Sequence, residues 1–301
     1  MPASHFGEPE SCPAPGSMGG VPRRAVLAAI CVMALVLAGC GVKGEPTGAV
    51  DPYPTHAIDG AGQPVSIASA PTRIVSADPG ASAILRDLGL GTATVEAKPT
   101  TVGTLAADPT TALVVVPLAM DAAALDQLRA ASHAPIFRYG ADPLTDAPTL
   151  VTQLGVAVGQ GPKGAAIAQS MARGLTALAS RLDGEPAVRT LIEGPGFTGY
   201  GPSSPVGLDV AAAGGENVLN ADQPLDIAAL PGLDIAAWVS LQPGGSTMAS
   251  LQKLRELSTV PAIRDSRVLT IPQAGYPIDA ALPTALQALA DDLRAAPLAT
   301  G

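Results

Sequence analysis

The longest apolar–polar rhythm in this chain runs over Lys163–Leu182. Apolar residues recur at Ile167, Met171, Leu175, Leu178 and Leu182, while Gln169, Ser170, Arg173, Thr176 and Ser180 take the other side. Steps of four, four, three and four trace one face of an α-helix. Gly161-Pro162 marks its start and Asp183-Gly184 its stop. A helix of this length spans about 30 Å. Strand and helix patterns alternate on both sides of it, so it is expected to join two lobes and hold their spacing.

Upstream, Ala57–Ile67 reads as a hairpin around a Gly-rich turn. Arg73–Ser76, Ala93–Glu96, Ala112–Val116 and Pro135–Arg138 read as strands. Helices are expected over Ala81–Leu88, from an Asp121 cap through Ala131, and over Leu144–Val158. Downstream, strands are expected at Ala187–Glu193, Ile235–Val239 and Arg267–Ile271. Helices follow at Pro205–Ala213, Thr247–Leu257 and Ala280–Ala295, with a helical turn at Asp226–Leu230. Strands separated by helices imply parallel pairing. The fold class is therefore α/β: two lobes, each a small parallel or mixed sheet flanked by helices, joined by one long backbone helix. The expected divisions are a first lobe over 57–142, linking helices over 143–184 and a second lobe over 185–301.

The head of the chain has a different pattern. Arg23-Arg24 precede an uncharged apolar run, Ala25–Leu37, too short to span a bilayer but suited to a signal peptide. It ends in Leu37-Ala38-Gly39-Cys40, which looks like a bacterial lipobox. That resemblance implies a signal peptide over 1–39, cleavage before Cys40 and lipidation of Cys40, for instance with palmitate. An ordinary signal peptide with a chance cysteine is the plain alternative. Residues 40–56 are rich in Gly, Pro and small polar residues and read as a flexible tether. The expected location is the extracytoplasmic face of the cell membrane, held by lipid.

Removing 39 of 301 residues leaves 262, enough to bury a substantial core. Cys12 and Cys31 fall in the removed segment, so the mature chain has no cysteine pair to bridge. A net charge of −9 argues against nucleic acid as a partner.

In open α/β sheets, ligands bind beyond the carboxyl ends of the strands. The loops there carry Asp78, Arg138, Tyr139, Phe197, Tyr200, Trp238 and Tyr276. Aromatic faces would hold a large planar ligand and Arg138 an anionic one. Alternatively, Phe197 and Trp238 are core residues at strand ends, and the tyrosines belong to surface loops. Gly194-Pro195-Gly196-Phe197-Thr198-Gly199 matches a dinucleotide fingerprint in spacing, but Pro202 and Pro205 delay the helix it needs, so it reads as a glycine-rich cleft loop. His56 in the tether and His133 at a helix end are the mature chain's histidines, too few for a bare metal site.

The order of short motifs adds a resemblance. Asp59-Gly60, Val65-Ser66-Ile67, Ala70-Pro71 and Arg73-Ile74-Val75-Ser76 open it. Ser82–Leu85, Leu88–Gly91 and Leu154-Gly155 follow, then Ala213-Gly214-Gly215-Glu216-Asn217-Val218 and Leu233-Asp234-Ile235. Val260-Pro261-Ala262-Ile263-Arg264 and Arg267-Val268 close it. Over nearly the whole mature chain this is similar to the substrate-binding lipoproteins of ABC importers of the cobalamin and iron–siderophore type. The resemblance implies a monomeric binding protein, not an enzyme and with no cofactor of its own. It implies a small-molecule ligand, iron–siderophore first and a corrinoid or haem second. It also implies docking on a membrane permease through an acid on each lobe, Asp226 serving the second. Ala83 stands where the family carries a glutamate in the first lobe. Two other readings differ in class. One is a degenerate member acting as an envelope scaffold. The other is an envelope hydrolase, which would need Ser203 or Ser204 beside a base.

Overall fold

A computed structural model of the chain describes residues 52–295. The signal segment, Cys40 and the tether up to Asp51 lie outside the described residues. Among the described residues no helix is long and apolar enough to cross a membrane.

The chain enters through a two-stranded antiparallel hairpin, β1 (Thr55–Ile58) and β2 (Pro64–Ile67). His56, read above as tether, thus lies in a strand, and its Nδ1 is 2.9 Å from Ser66 Oγ. The alternation Ala57, Val65, Ile67 inward and His56, Ser66 outward is what a half-buried hairpin needs.

The first lobe is a four-stranded parallel sheet in the order β4-β3-β5-β6, with β3 Ile74–Ser76, β4 Thr94–Glu96, β5 Leu113–Pro117 and β6 Ile136–Tyr139. β5 is apolar at successive positions because both its faces are covered. Val114 and Val116, with Val75, meet Leu125 and Leu128 of α3 (Ala122–Ala131) and Val102 of α2 (Val102–Ala106). Leu113 and Val115, with Ile74 and Phe137, face α1 (Pro79–Asp87) and the helices beyond. Asp121 caps α3 as its position suggests, accepting from Ala124 N at 2.8 Å. The α2 turn breaks no sequence rule but carries too short a period to be read.

The expected helix over 144–158 is a 3₁₀ turn at Leu144–Asp146 followed by α4 (Ala147–Ala157). The backbone helix is α5 (Gly161–Leu182), 22 residues and about 33 Å long. Met171 and Leu178 are fully buried, and so are Gly164 and Ala168, which extend the apolar stripe with small residues. Gly155 of α4 and Gly164 of α5 touch backbone to backbone. A Cβ on Gly155 would stand 2.8 Å from Gly164 Cα. The two glycines let the helices cross closer than side chains permit.

The second lobe has parallel strands β7 (Val188–Gly194), β9 (Gly215–Asn217), β11 (Ala237–Gln242) and β12 (Val268–Pro272), with β11 between β7 and β12. The short β8 (Thr198–Gly199) and β10 (Gln223–Pro224) add an antiparallel margin. One face is covered by α6 (Pro205–Ala212) and α9 (Leu282–Arg294). The other carries α7 (Met248–Leu251) and α8 (Pro261–Arg264). The helix expected over Thr247–Leu257 is broken. After α7 the chain extends at Leu254 and resumes as a 3₁₀ turn at Arg255–Leu257. Leu257 lies six positions after Leu251, which in one continuous helix would turn them about 120° apart. The break lets both bury completely in the same cluster as Trp238.

One apolar cluster continues from the first lobe along α5 into the second, joining Ile74, Phe137 and Leu154 to Met171 and Leu178, then to Ile192, Val239 and Leu286.

Candidate functional site

The carboxyl ends of the two sheets approach each other across a seam. The segment Gly275–Asp279, which follows β12 and leads into α9, crosses it. On the first lobe, Tyr139 Oη donates to Ile278 O at 2.7 Å. Gly80, in the first turn of α1, lies so close beneath that a Cβ there would stand 2.8 Å from Ile278 N and O. On the second lobe, Tyr276 N donates to Asp209 Oδ2 at 2.8 Å. Gly275 takes φ +75° over the same carboxylate, leaving no room for a side chain. We call this segment the strap.

Carboxylates line it. Asp78 caps α1, accepting from Ala81 N at 2.8 Å, and burial raises its pKa against the pull of the Ala81 and Gly80 N–H groups. Tyr139 is 1% exposed; burial first, then Asp78 and Asp279, push its phenol well above the usual range. Asp209 is 2% exposed on α6, and burial lifts it to about 6, opposed by the Tyr276 N–H. The half-buried Tyr276 is raised by burial, then by Asp209 and Asp292.

A second buried carboxylate shapes the neighbouring loop. Glu193, at the carboxyl end of β7, accepts from Ser246 N at 2.8 Å, Ser246 Oγ at 3.1 Å and Ser240 Oγ at 3.4 Å. It pins the turn after β11.

The residues singled out from the sequence divide sharply. Asp78, Tyr139 and Tyr276 meet at the seam, with Tyr139 as a buried tie between lobes, not an open aromatic face. Tyr200 is half-buried, its ring against Gly194. Trp238 and Phe197 are corrections. Trp238 is 0% exposed and packs with Leu251, Leu257 and Ile263 on the sheet face opposite α6 and α9. Phe197 packs beside it, ring centroids 6.0 Å apart. Arg138 lies beside the hairpin. Its backbone N donates to Asp59 Oδ2, its guanidinium donates to Leu118 O, and its Nε is buried without a partner. Its side chain lines a groove of about 260 Å³ between β2 and α3, with Asp59, Gln63 and Arg129. A second groove, about 480 Å³, lies between the hairpin turn and α4. Neither is lined by a residue of the strap. Asp226 is exposed in a turn, accepting from Ala228 N at 3.1 Å.

The glycine-rich loop turns directly into the antiparallel β8 and the next helix starts only at Pro205, so Gly199 does not open a helix N-terminus that could receive a pyrophosphate. Ser204 caps α6, accepting from Gly207 N and donating to Gly201 O. Among the described residues no three His, Cys, Asp or Glu side chains come together to hold a metal ion. Asp209, Ile278, Gly80 and Glu193 are not singled out by the sequence. Only Asp209 and Glu193 leave a trace there, each a lone acid inside an apolar run.

Two α/β lobes set across a rod, their strand ends meeting at a seam, make the fold of the solute-binding proteins of ABC transporters. No family model matches the chain, and no curated protein matches its sequence. Among solved structures, a heme binding protein named HmuT has a TM-score of 0.64 at 17% identity, covering 84% of this chain and 93% of that one. The apo periplasmic heme-binding protein RhuT from Roseiflexus sp. RS-1 has 0.58 at 23%, covering 73% and 97%. The molybdate-binding protein MolA of a Haemophilus influenzae ABC transporter has 0.61 at 16%, covering 79% and 90%. All three are binding proteins, and at such identities the likeness carries the fold alone.

Proposed function

We propose that this chain is a lipid-anchored solute-binding protein that captures a complexed metal nutrient at the seam and presents it to an ABC importer. The single observation behind this reading is the meeting of the two sheets' carboxyl ends beside the strap, the place where ligands bind in open α/β sheets. The ligand is a metal already wrapped in an organic shell, because the described residues at the seam offer tyrosines and carboxylates but no clustered histidine or cysteine for a bare ion. Iron–siderophore, haem and corrinoid are the three candidates. With the Arg138 guanidinium engaged by Leu118 O and Asp78, Asp209 and Asp279 near the strap, a strongly anionic ligand is the least suited. Tyr276 and Tyr200, both half-buried, would supply the contacts, and Asp226 would meet a basic permease surface.

The test is calorimetric titration of the domain from residue 52 with haem, ferric siderophores and cobalamin. Binding of one of them, weakened at least tenfold by Tyr276→Ala, supports the reading; no heat with any of the three overturns it. Fluorescence of Trp238 is a poor reporter here, since that ring is sealed on the far face of the second sheet.

A further inference from the structure

We propose that the strap Gly275–Asp279 is a proton-operated latch: it docks between the lobes more firmly when Asp209 is protonated and loosens when that carboxyl ionises. The inference concerns the motion of the strap itself and stands whether or not a ligand is captured.

The geometry is that of a crosspiece fastened at both ends. Its far end is tied to the first lobe by the phenol of Tyr139 on Ile278 O and by the close approach to Gly80. Its near end rests on Asp209 through one backbone N–H. When the strap is docked, that carboxylate is enclosed with a single donor. A lone hydrogen bond does not offset the burial of a full charge. The neutral acid loses far less on burial and still accepts the Tyr276 N–H through its carbonyl oxygen. Lifting the strap would return Asp209 to water and to an ordinary carboxylate.

Among the described residues no neighbouring cation relieves it. Within α6 Asp209 is the sole charged residue. From α9, Arg294 donates to the carbonyls of Ala213, Gly214 and Ala290, and Asp292 acts on Tyr276 as a further negative charge. From β9, Glu216 is exposed and pairs with Arg189. Asp146, at the 3₁₀ turn packed on α6, is exposed, and within the strap Asp279 is acidic too. Glu193 of β7 is held by Ser240 and Ser246. The sign follows from linkage. Asp209 sits at about 6 when docked and near 3.9 when free. The docking gain is therefore complete below about 3.9 and lost as pH rises through 6.

Hydrogen exchange of the strap peptide measures this directly. Protection factors would be corrected for intrinsic exchange and referred to the β11 core peptide. Between pH 5 and 7.5 the strap of the native protein is expected to lose about tenfold in protection. Asp209→Asn, neutral at every pH, flattens that profile. Asp78→Asn keeps the slope, since asparagine still caps α1. Tyr139→Phe lowers protection throughout but keeps the slope. A flat native profile, an unchanged slope in Asp209→Asn, or a slope abolished by Asp78→Asn instead would each overturn the proposal.

Discussion

Tyr139 shows how one atom ties the lobes together. Its ring lies in the first lobe's core and its hydroxyl is the donor to Ile278 O. Tyr139→Phe removes that donor and strands a carbonyl, so stability should fall by about 1–2 kcal/mol in urea unfolding. Glu193→Ala strips the acceptor from three donors, one of them a backbone N–H. The expected loss is about 2–3 kcal/mol, with raised exchange confined to the turn after β11. At this scale the sequence is informative about identity but not about direction. Asp78, Tyr139 and Tyr276 stand out by their place after strands. The same rule also selects Phe197 and Trp238, which turn elsewhere, and Arg138, whose guanidinium is engaged by Leu118 O. Alternation along a strand says that neighbours face opposite ways; it does not say which face meets the other lobe.

Glycine governs the helices in two opposite ways. Gly155 and Gly164 bring α4 and α5 into backbone contact, so Gly164→Ala should cost about 1–3 kcal/mol by overpacking. Gly103 in α2 faces open space, with nothing within 4 Å of the point where a Cβ would stand. There Gly→Ala should raise stability by about 0.5–1 kcal/mol, and the two midpoints in thermal unfolding should move oppositely. The long helix, the hairpin and the main strands are legible because their apolar periods run through several turns or alternations. The α2 turn, β9 and the split of Thr247–Leu257 are not, because each is shorter than the period that would announce it.

The two lobes share a single apolar core that α5 carries from one to the other. Met171→Ala, in the middle of that path, should cost about 2–5 kcal/mol. It should lower one cooperative transition, seen alike by Trp238 fluorescence and by far-ultraviolet circular dichroism. Two separated transitions would mean that the lobes are energetically independent. The sequence by itself determined the α/β class, the rod and the order of its elements, since these follow from local periodicity and from the residues that start and stop each run. Only the tertiary structure decided what the seam contains. Asp209 meets Tyr276 across 67 residues and Tyr139 meets Ile278 across 139, and contacts that distant are set by how the sheets pack on the rod, which no local pattern encodes.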